Sequence, residues 1–380
     1  MEDKEKLNIL VLSWRGPGHP HAGGAELSTH EHVKGWVKAG HCVTLFTSSY
    51  AGAKKEEVID GVNIIRRGSQ IFGVHWEAFK WYLFGSHPKF DLVVDQFHGI
   101  PFFTPLYVRG KKLAFIHEVT KEVWSLNPWS WPFNLIPTLV GRIFEPLIFM
   151  LLYRNIPFMT VSQSSKRDLT LWGIPEKNIT VVHNGLDVPK IKHNFLKEKK
   201  KTLIFLGALS KDKGVEDVLK TFSILGSITN NFQFWIVGKG EAFYLKSLKL
   251  QASELKIDKK VKFWGFVNEE KKYELLKRAH LLINPSTREG WGFVVMEAAS
   301  QGTPTIGYNV AGLRDSIIDG KTGILTDTNP QAMAKDLVYL INNKNKYKNF
   351  SVNCINWAES FKWEESVIES LALLKKLMVK

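Results

Sequence analysis

Residues 284–304 read NPSTREGWGFVVMEAASQGTP and predict a strand end, a glycine-rich turn and the start of a helix. The apolar residues 281–283 before them read as a short buried strand. Pro285 ends that strand because proline cannot donate to a β-ladder. Gly290 and Gly292 form the turn, and VVMEAAS then has helical character until a Gly-Thr-Pro sequence stops it.

This turn has the features of a phosphate site. The first N–H groups of a helix lack intrahelical partners and lie at the positive end of its dipole, and glycines let a diphosphate approach the backbone closely. Glu289 and Glu297 bracket the turn with an E-x7-E spacing. A carboxylate accepts two hydrogen bonds from a vicinal diol, so Glu297 is predicted to hold a ribose and Glu289 the hydroxyls of a sugar. The two glutamates alone also fit a capping acid and a solvated helix residue.

The same stretch resembles the E-x7-E region of the retaining glycosyltransferases of family 4, which have the two-domain GT-B fold. The matching residues are the two glutamates, Gly290, Gly292, Ala298, Gly302 and Pro304. The resemblance covers almost the whole chain and is strongest in residues 202–312. It implies an α/β protein with the GT-B fold, in which two Rossmann-like, doubly wound parallel-sheet domains face a central cleft.

A basic stretch at residues 190–201 lacks apolar periodicity and predicts the boundary between the two domains. The N-terminal, acceptor-side domain is predicted to span residues 1–187, and the nucleotide-sugar donor-binding domain residues 188–360. By resemblance, a C-terminal helix at about 361–380 returns to the first domain.

Alternating strands and helices predict parallel sheets in both halves. The predicted strands are Asn8–Ser13, Cys42–Thr47, Val62–Arg66, 91–94, 112–116, 158–162, 179–182, 202–206, 234–237, 261–263 and 281–283. Gly23 and Gly24 open a helix near 25–39, so their amides are predicted to face a phosphate or the acceptor. The loop before them is neither a GxGxxG motif nor a P-loop.

His117 directly follows the predicted strand 112–116, at the edge of the sheet where ligands bind. From the residues alone, it is equally a capping or structural histidine. In the family a histidine at this place contacts the donor sugar. The resemblance therefore assigns a catalytic role to His117, together with Lys213 and Glu289.

The stretch GALSKDKG at residues 207–214 resembles the family's G-R-L-x-x-x-K-G, whose Arg and Lys neutralise the departing diphosphate. Lys213 matches, but Ala208 stands where the family has Arg. Charge-assisted bonds of this type contribute roughly 1.5–3 kcal/mol each. Arg288 is predicted to take over part of the missing role.

The resemblance also places the glycine turn at 265–266 near the base of the donor. The complete predicted donor-binding set is Gly23, Gly24, Ala208, Lys213, Gly265, Phe266, Arg288, Glu289, Gly290, Trp291, Gly292, Phe293, Val294 and Glu297.

Composition indicates a globular protein in a reducing compartment. The chain has 380 residues, 44% of them hydrophobic and 23% charged, which suffices for two cores. Cys42 and Cys354 are far apart, which argues against a disulfide framework or a zinc site. Charged residues lie directly before the first strand, so no signal peptide is predicted and the expected location is cytoplasmic.

A net charge of +14 suggests an anionic partner: nucleic acid, an anionic membrane surface or a phosphate-bearing substrate. A generic basic surface is the alternative. No RRM, KH or zinc-finger signature occurs, so nucleic acid ranks low.

The apolar stretch 143–153 is shorter than the roughly 18 residues of a membrane span and is predicted to be a buried helix, with membrane docking as the alternative. Residues 124–137, with three tryptophans and three prolines, are predicted to form a loop on the acceptor side.

No metal site is predicted. Two H-x-H pairs, at residues 19–21 and 30–32, lack a third ligand nearby, and no DxD motif occurs. Lys213, backbone amides and helix dipoles are therefore predicted to offset the phosphate charge without a metal or a cofactor. No convincing nucleophile is found. The resemblance implies a front-side displacement in which the leaving phosphate assists deprotonation of the acceptor.

The sequence thus predicts a retaining, metal-independent glycosyltransferase that moves a hexose-type sugar from a UDP- or GDP-linked donor to a glycan or lipid-linked acceptor. The basic, aromatic N-terminal half favours an acceptor near the membrane, with the protein peripheral on its inner face. Three alternatives stay open: a non-catalytic sugar-nucleotide-binding protein, another GT-B enzyme such as a sugar-nucleotide epimerase, and a basic protein of nucleic acid or membrane surfaces.

Overall fold

The computed structural model describes residues 6–70, 72–97, 99–126, 135–188, 196–228 and 231–379. The chain divides into two compact units. Unit 1 comprises Met1–Gly185 and Lys362–Lys380, and unit 2 comprises Leu186–Phe361. The predicted boundary at residues 187 and 188 lies next to this division.

Unit 1 is built on an eight-stranded sheet in the order β3-β4-β2-β1-β5-β6-β7-β8. Its strands are β1 (Asn8–Ser13), β2 (Cys42–Thr47), β3 (Glu56–Ile59), β4 (Val62–Arg66), β5 (Leu92–Phe97), β6 (Lys111–Ile116), β7 (Phe158–Thr160) and β8 (Ile179–Val181). The central strand β1 reads NILVLS and is buried from its second residue onward, as expected where helices cover both faces of a sheet.

The strand β3 was not predicted from the sequence. It pairs antiparallel with β4, whereas the other neighbouring strands of this sheet run parallel. Asp60 and Gly61 form the turn between them, with φ angles of 50° and 80°. Two consecutive positive φ angles are typical of the type I′ turn, which favours Asp-Gly.

The helices of unit 1 before the chain enters unit 2 are α1 (Gly24–Lys38), α2 (Phe72–Phe84), α3 (Thr104–Tyr107), α4 (Leu135–Ile148) with a π-helical extension (Phe149–Tyr153), and α5 (Gln163–Leu171). Successive side chains of β6 point to opposite faces of the sheet and contact different helices. Ala114 and Ile116 pack with Phe149 of the π-helix, whereas the Phe115 ring lies 5.7 Å from the His32 ring of α1. The sheet therefore has α1 on one face and the π-helix on the other.

The predicted burial of residues 143–153 is wrong. Glu145, Phe149 and Tyr153 are buried, but Ile143 and Leu151 are 46% and 71% exposed. By length and composition, the segment Leu135–Tyr153 could cross a membrane, and 18% of it is buried. Residues 127–134 of the predicted tryptophan-rich loop lie outside the described residues, and Trp124 belongs to a short 3-10 helix (Lys121–Leu126).

Unit 2 contains six parallel strands in the order β11-β10-β9-β12-β13-β14. They are β9 (Lys201–Leu206), β10 (Phe232–Val237), β11 (Val261–Gly265), β12 (Leu281–Asn284), β13 (Thr305–Tyr308) and β14 (Gly323–Thr326). The helices are α6 (Val215–Ile228), α7 (Ala242–Glu254), α8 (Glu269–Arg278), α9 (Phe293–Ser300), α10 (Leu313–Ser316), α11 (Pro330–Asn342) and α12 (Lys344–Glu359). The strands β13 and β14 were not predicted.

The final helix, α13 (Trp363–Val379), packs against α1 within unit 1. A Cβ at Gly35 would lie 2.5 Å from the methyl groups of Val367, so glycine permits the close approach of the two helices. Trp36 Nε1 donates to Ser370 Oγ at 2.9 Å. This contact fixes the register of α13 on α1.

Candidate active site

The centre of the candidate site in unit 2 lies between β9 and β12, where the strand order reverses. The loops that follow two such strands run to opposite sides, which leaves a crevice at the carboxyl edge of the sheet. Lys213, in a short 3-10 helix after β9, donates from Nζ to Glu289 Oε1, after β12, at 2.8 Å. The fold thus brings two predicted catalytic residues together at the switch point of the sheet.

The Glu289 carboxylate is fixed from several sides. Ser286 Oγ donates to the same Oε1 at 2.8 Å, and the Glu289 amide donates to the Ala311 carbonyl at 3.1 Å. Gly312 packs directly on the Glu289 backbone, since a Cβ there would lie 2.0 Å from the Glu289 carbonyl oxygen. The Glu289 side chain is 15% exposed. Ser286 and Gly312 were not among the predicted site residues.

The turn between β12 and α9 has the predicted geometry of a helix start. Gly292 is the N-cap of α9, with φ 84° and ψ 55°. This left-handed conformation favours glycine. Phe293 and Val294 follow as the first helical residues, so their amides lie at the positive end of α9. Trp291 is 3% exposed and its ring packs 5.0 Å from the Phe361 ring. The turn can therefore receive an anion, while Trp291 anchors it to the body of unit 2.

Glu297 of α9 forms an ion pair with a lysine of the neighbouring helix α8. Its Oε1 accepts a bond from Lys272 Nζ of α8 at 2.6 Å, and the two side chains are 13% and 14% exposed. Lys272 also lies 2.8 Å from Glu269. Burial raises the pKa of Glu297, and Lys272 opposes that rise. Burial lowers the pKa of Lys272, but Glu297 and Glu269 raise it by more. A diol at Glu297 would therefore share this carboxylate with a lysine that was not predicted.

The remaining predicted donor residues of unit 2 follow neighbouring strands at the same edge. Ala208 is exposed after β9. Gly265 ends β11, and its carbonyl accepts from the Gly238 amide at 2.9 Å. Phe266 is 75% exposed, with Lys239 Nζ 5.6 Å from the centre of its ring. An exposed aromatic ring beside a cation is suited to stack on a nucleobase.

Arg288 is 5% exposed. The neighbouring Thr287 amide donates to the Asp212 carbonyl at 2.8 Å and so ties the loop after β12 to the loop after β9. Arg288 therefore sits in an ordered, enclosed position. Its predicted contact with a diphosphate stays a prediction.

In unit 1, the backbone amide of Gly23 is hydrogen-bonded to a side chain of the helix that it precedes, α1. Gly23 is the N-cap of α1, and its amide donates to Glu26 Oε2 at 2.7 Å, which is the half of a capping box that needs no N-cap side chain. Arg15 Nε donates to Glu26 Oε1 at 2.9 Å. The Gly23 amide is therefore used within the chain, which differs from the prediction that it faces a ligand. Gly24 is the first residue of α1.

His117 lies at the carboxyl end of β6, as its place in the sequence predicts, and is 4% exposed. Its Nε2 lies 3.5 Å from Thr29 Oγ1 of α1, and its carbonyl accepts from Ser165 Oγ at 2.8 Å. Asn184, after β8, accepts from Ser28 Oγ of α1 at 2.6 Å. Polar side chains that follow β6 and β8, His117 and Asn184, thus meet α1 at the carboxyl edge of this sheet.

In the part of the chain that the structure describes, no group of three or more His, Cys, Asp or Glu side chains is placed to hold a metal ion. The H-x-H pair of His19 and His21 has ring centres 5.7 Å apart.

Comparisons with known proteins agree with this architecture. Residues 22–190 match the family model for Glycosyltransferase Family 4, and residues 188–357 match that for glycosyl transferases group 1. A glycogen synthase of Mycobacterium tuberculosis is 30% identical over 368 residues, covering 84% of this chain and 82% of that protein.

Two solved structures show the same fold at low identity. Sucrose-phosphate synthase of Thermosynechococcus elongatus superposes with a TM-score of 0.79 at 17% identity, covering 98% of this chain and 100% of the other. HepE of Anabaena, in complex with UDP and glucose, gives a TM-score of 0.72 at 17% identity, covering 97% and 100%. The two parallel-sheet α/β units, the two family-model matches and the glycogen synthase relative together show that this chain belongs to the GT-B glycosyltransferases.

Proposed function

We propose that this glycosyltransferase is a retaining, metal-independent enzyme that moves a hexose-type sugar from a UDP- or GDP-linked donor to a glycan or lipid-linked acceptor. The observation that carries the proposal is the 2.8 Å bond between Lys213 and Glu289 at the switch point of unit 2. A cation, a carboxylate and the N-terminus of α9 converge there. A nucleoside diphosphate sugar offers a partner to each of the three.

The roles follow from charge. Lys213 and the amides at Phe293 and Val294 would offset the charge of the departing diphosphate, which is the largest charge change of the reaction. Glu289 would accept hydroxyl bonds from the transferred sugar, Glu297 those from the ribose, and Phe266 would cover the base. His117 of unit 1 would orient the sugar. Arg288 would add part of the charge that Ala208 cannot supply.

The proposed chemistry is a front-side displacement. The bond from the anomeric carbon to the diphosphate oxygen breaks, and the bond to the acceptor oxygen forms on the same face of the sugar. The acceptor proton passes to the departing diphosphate, so no enzyme base is needed. The configuration at the anomeric carbon is therefore retained.

The comparisons suggest where to begin with substrates. HepE was solved with UDP and glucose, which makes a UDP-hexose the first donor to test. Glycogen synthase, by its name, builds a glycan, which supports an oligosaccharide as the first acceptor.

The test measures donor binding and turnover for the wild type, Lys213→Met and the control Lys220→Met, whose lysine is exposed on α6. Loss of one charge-assisted bond of roughly 1.5–3 kcal/mol predicts that Lys213→Met binds the UDP- or GDP-sugar about 10- to 100-fold more weakly, while Lys220→Met binds as the wild type does. Arg288→Ala is expected to lower turnover as well. The anomeric configuration of the product is read by NMR.

Three results would overturn the proposal. The first is equal donor affinity of Lys213→Met and the wild type. The second is isomerised donor without any acceptor, which would indicate an epimerase. The third is tight donor binding without turnover on any acceptor, which would indicate a non-catalytic binding protein.

A further inference from the structure

We propose that unit 1 docks on an anionic lipid bilayer through one defined surface. This lipid-facing surface consists of the outward side chains of α2, α3, α4 and the π-helix. Its apolar members are Phe72, Trp76, Leu83, Phe84, Leu106, Ile136, Leu139, Ile143, Phe144, Leu147, Met150 and Leu151, all of them exposed. Docking here requires neither donor nor acceptor, so it is separate from sugar transfer.

These helices form one layer on one face of the sheet. The Tyr107 ring of α3 lies 5.2 Å from Phe79 and 5.6 Å from Tyr82 of α2. Asp95 of β5 joins α3 to the π-helix, because it accepts bonds from Thr104 Oγ1 of α3 at 2.8 Å and from Tyr153 OH of the π-helix at 2.5 Å. A continuous row of contacts therefore runs from α2 through α3 to the π-helix. The exposed side chains of all three elements lie on the outer side of the same layer.

The apolar residues follow the helical period. On α4 and its extension, Ile136, Leu139, Ile143, Leu147 and Met150 recur every three or four residues and are all exposed. The same spacing relates Phe72 and Trp76 of α2, which are 74% and 60% exposed, and Leu83 lies farther along that stripe.

A helix on the surface of a globular protein normally carries polar residues on its outer face. Here the outer faces are apolar, which is typical of a surface that binds a protein or a membrane.

The charges around this surface favour an anionic bilayer over a protein partner. Arg142 and Arg154 are exposed on and after α4, and Lys89 and Arg109 are exposed in the loops that border β5 and β6. The acid of α4, Glu145, is buried and accepts from the Thr120 amide at 2.9 Å and Trp124 Nε1 at 2.7 Å.

On α2, Lys80 lies 2.6 Å from its neighbour Glu77. Exposed cations beside an apolar, tryptophan-bearing helix face are typical of helices that lie in the headgroup region of anionic membranes.

The experiment is flotation of the full chain with vesicles of phosphatidylcholine alone and of phosphatidylcholine mixed with phosphatidylglycerol. We expect binding to the anionic vesicles that weakens as salt is raised. Ile143→Glu and Trp76→Glu each place a charge in the apolar layer and are expected to lower the binding constant by about tenfold or more. The control is Phe243→Glu, since Phe243 is 84% exposed on α7 of unit 2.

Leu139→Ser serves as a milder variant should Ile143→Glu reduce the melting temperature. The proposal is overturned if the wild type stays with the unbound fraction on anionic vesicles, or if the α2 and α4 variants float as well as Phe243→Glu. It is also overturned if the wild type self-associates without lipid and Ile143→Glu abolishes that association, because a second copy would then be the partner.

Discussion

At the scale of single residues, the ion pair of Lys272 and Glu297 makes substitutions at the proposed ribose position costly in stability. Both side chains are about one-seventh exposed, at 14% and 13%. Removing one member of an enclosed pair leaves the other charge uncompensated, which costs roughly 3–5 kcal/mol. Lys272 therefore holds Glu297 in place and opposes the rise that burial causes in the pKa of Glu297.

We predict that Lys272→Met lowers the free energy of unfolding by about 3 kcal/mol, because Glu297 is then buried without its cation. The double variant Lys272→Met/Glu297→Gln carries no such charge and should recover a large part of the loss. Urea unfolding of both variants measures the difference. If Lys272→Met and the double variant lose the same stability, the uncompensated charge of Glu297 is not the cause of the loss.

Gly312 offers a second test at this scale. It has a φ of 79°, and a Cβ there would lie 2.0 Å from the Glu289 carbonyl oxygen. Gly312→Ala should displace Glu289 and lower turnover at least tenfold. It should also lower the free energy of unfolding by roughly 1–3 kcal/mol, because alanine is strained at this φ angle. Gly320→Ala is the matched control, since Gly320 has a φ of 72° and a Cβ there would meet no atom within 4 Å. Equal loss of turnover in both variants would show that strain alone matters.

Lys213, Glu289 and Glu297 of the candidate site were predicted from the sequence, whereas Ser286, Gly312 and Lys272 were not. The first three stand in motifs that resemble a known family. The others act through partners that only the fold brings near, such as Lys272 and Glu297, which are 25 residues apart on different helices. A lysine in an ordinary charged helix gives no sign of such a contact.

At the scale of elements, the packing of α13 on α1 encloses a histidine. His32 is fully buried, with Nδ1 3.1 Å from Ser370 Oγ and its ring 5.9 Å from the Trp363 ring. Burial lowers the pKa of His32 to about 4, whereas an unfolded histidine has a pKa of about 6.5. Between these values the unfolded state binds more protons than the folded state, so stability rises with pH in this window.

We therefore predict that unit 1 loses up to about 3 kcal/mol of stability as the pH falls from about 6.5 to 4. His32→Asn keeps a polar partner for Ser370 and cannot take up the proton, so its stability should depend less on pH. Denaturant unfolding at several pH values measures both proteins. An unchanged pH dependence in His32→Asn would contradict the assignment to this histidine.

Sequence patterns predicted the buried strands better than the peripheral ones. The strand β1 is a continuous apolar run, whereas β3 reads EEVI and lies at the edge of its sheet. The Asp60–Gly61 turn is the local signal for that hairpin. The error at α4 has another cause, because an apolar composition does not reveal whether a neighbouring layer covers the helix.

At the scale of the whole molecule, the proposed donor should stabilise one unit selectively. All the residues proposed to hold the nucleotide and diphosphate belong to unit 2. A ligand at 100 times its dissociation constant adds about 2.7 kcal/mol to the folded state that binds it. We predict that a saturating UDP- or GDP-sugar slows amide exchange around Gly207–Gly214 and at the start of α9, as measured by hydrogen–deuterium exchange.

The matched control is the nucleoside without its diphosphate, which cannot reach Lys213 and should protect these amides much less. If the nucleoside and the nucleotide sugar protect these amides equally, the diphosphate does not bind at this part of unit 2. Protection confined to unit 1 would contradict the assignment of the donor to unit 2.

The chain leaves unit 1 after Gly185 and returns to it at Lys362. The two ends of unit 2 meet there, since the Leu186 amide donates to the Phe361 carbonyl at 3.1 Å. Unit 2 is in this sense an insertion whose termini are already side by side, so residues 186–361 are suited to expression as a stand-alone polypeptide. During synthesis on the ribosome, every residue of unit 2 has therefore been made before unit 1 receives its last helix, α13.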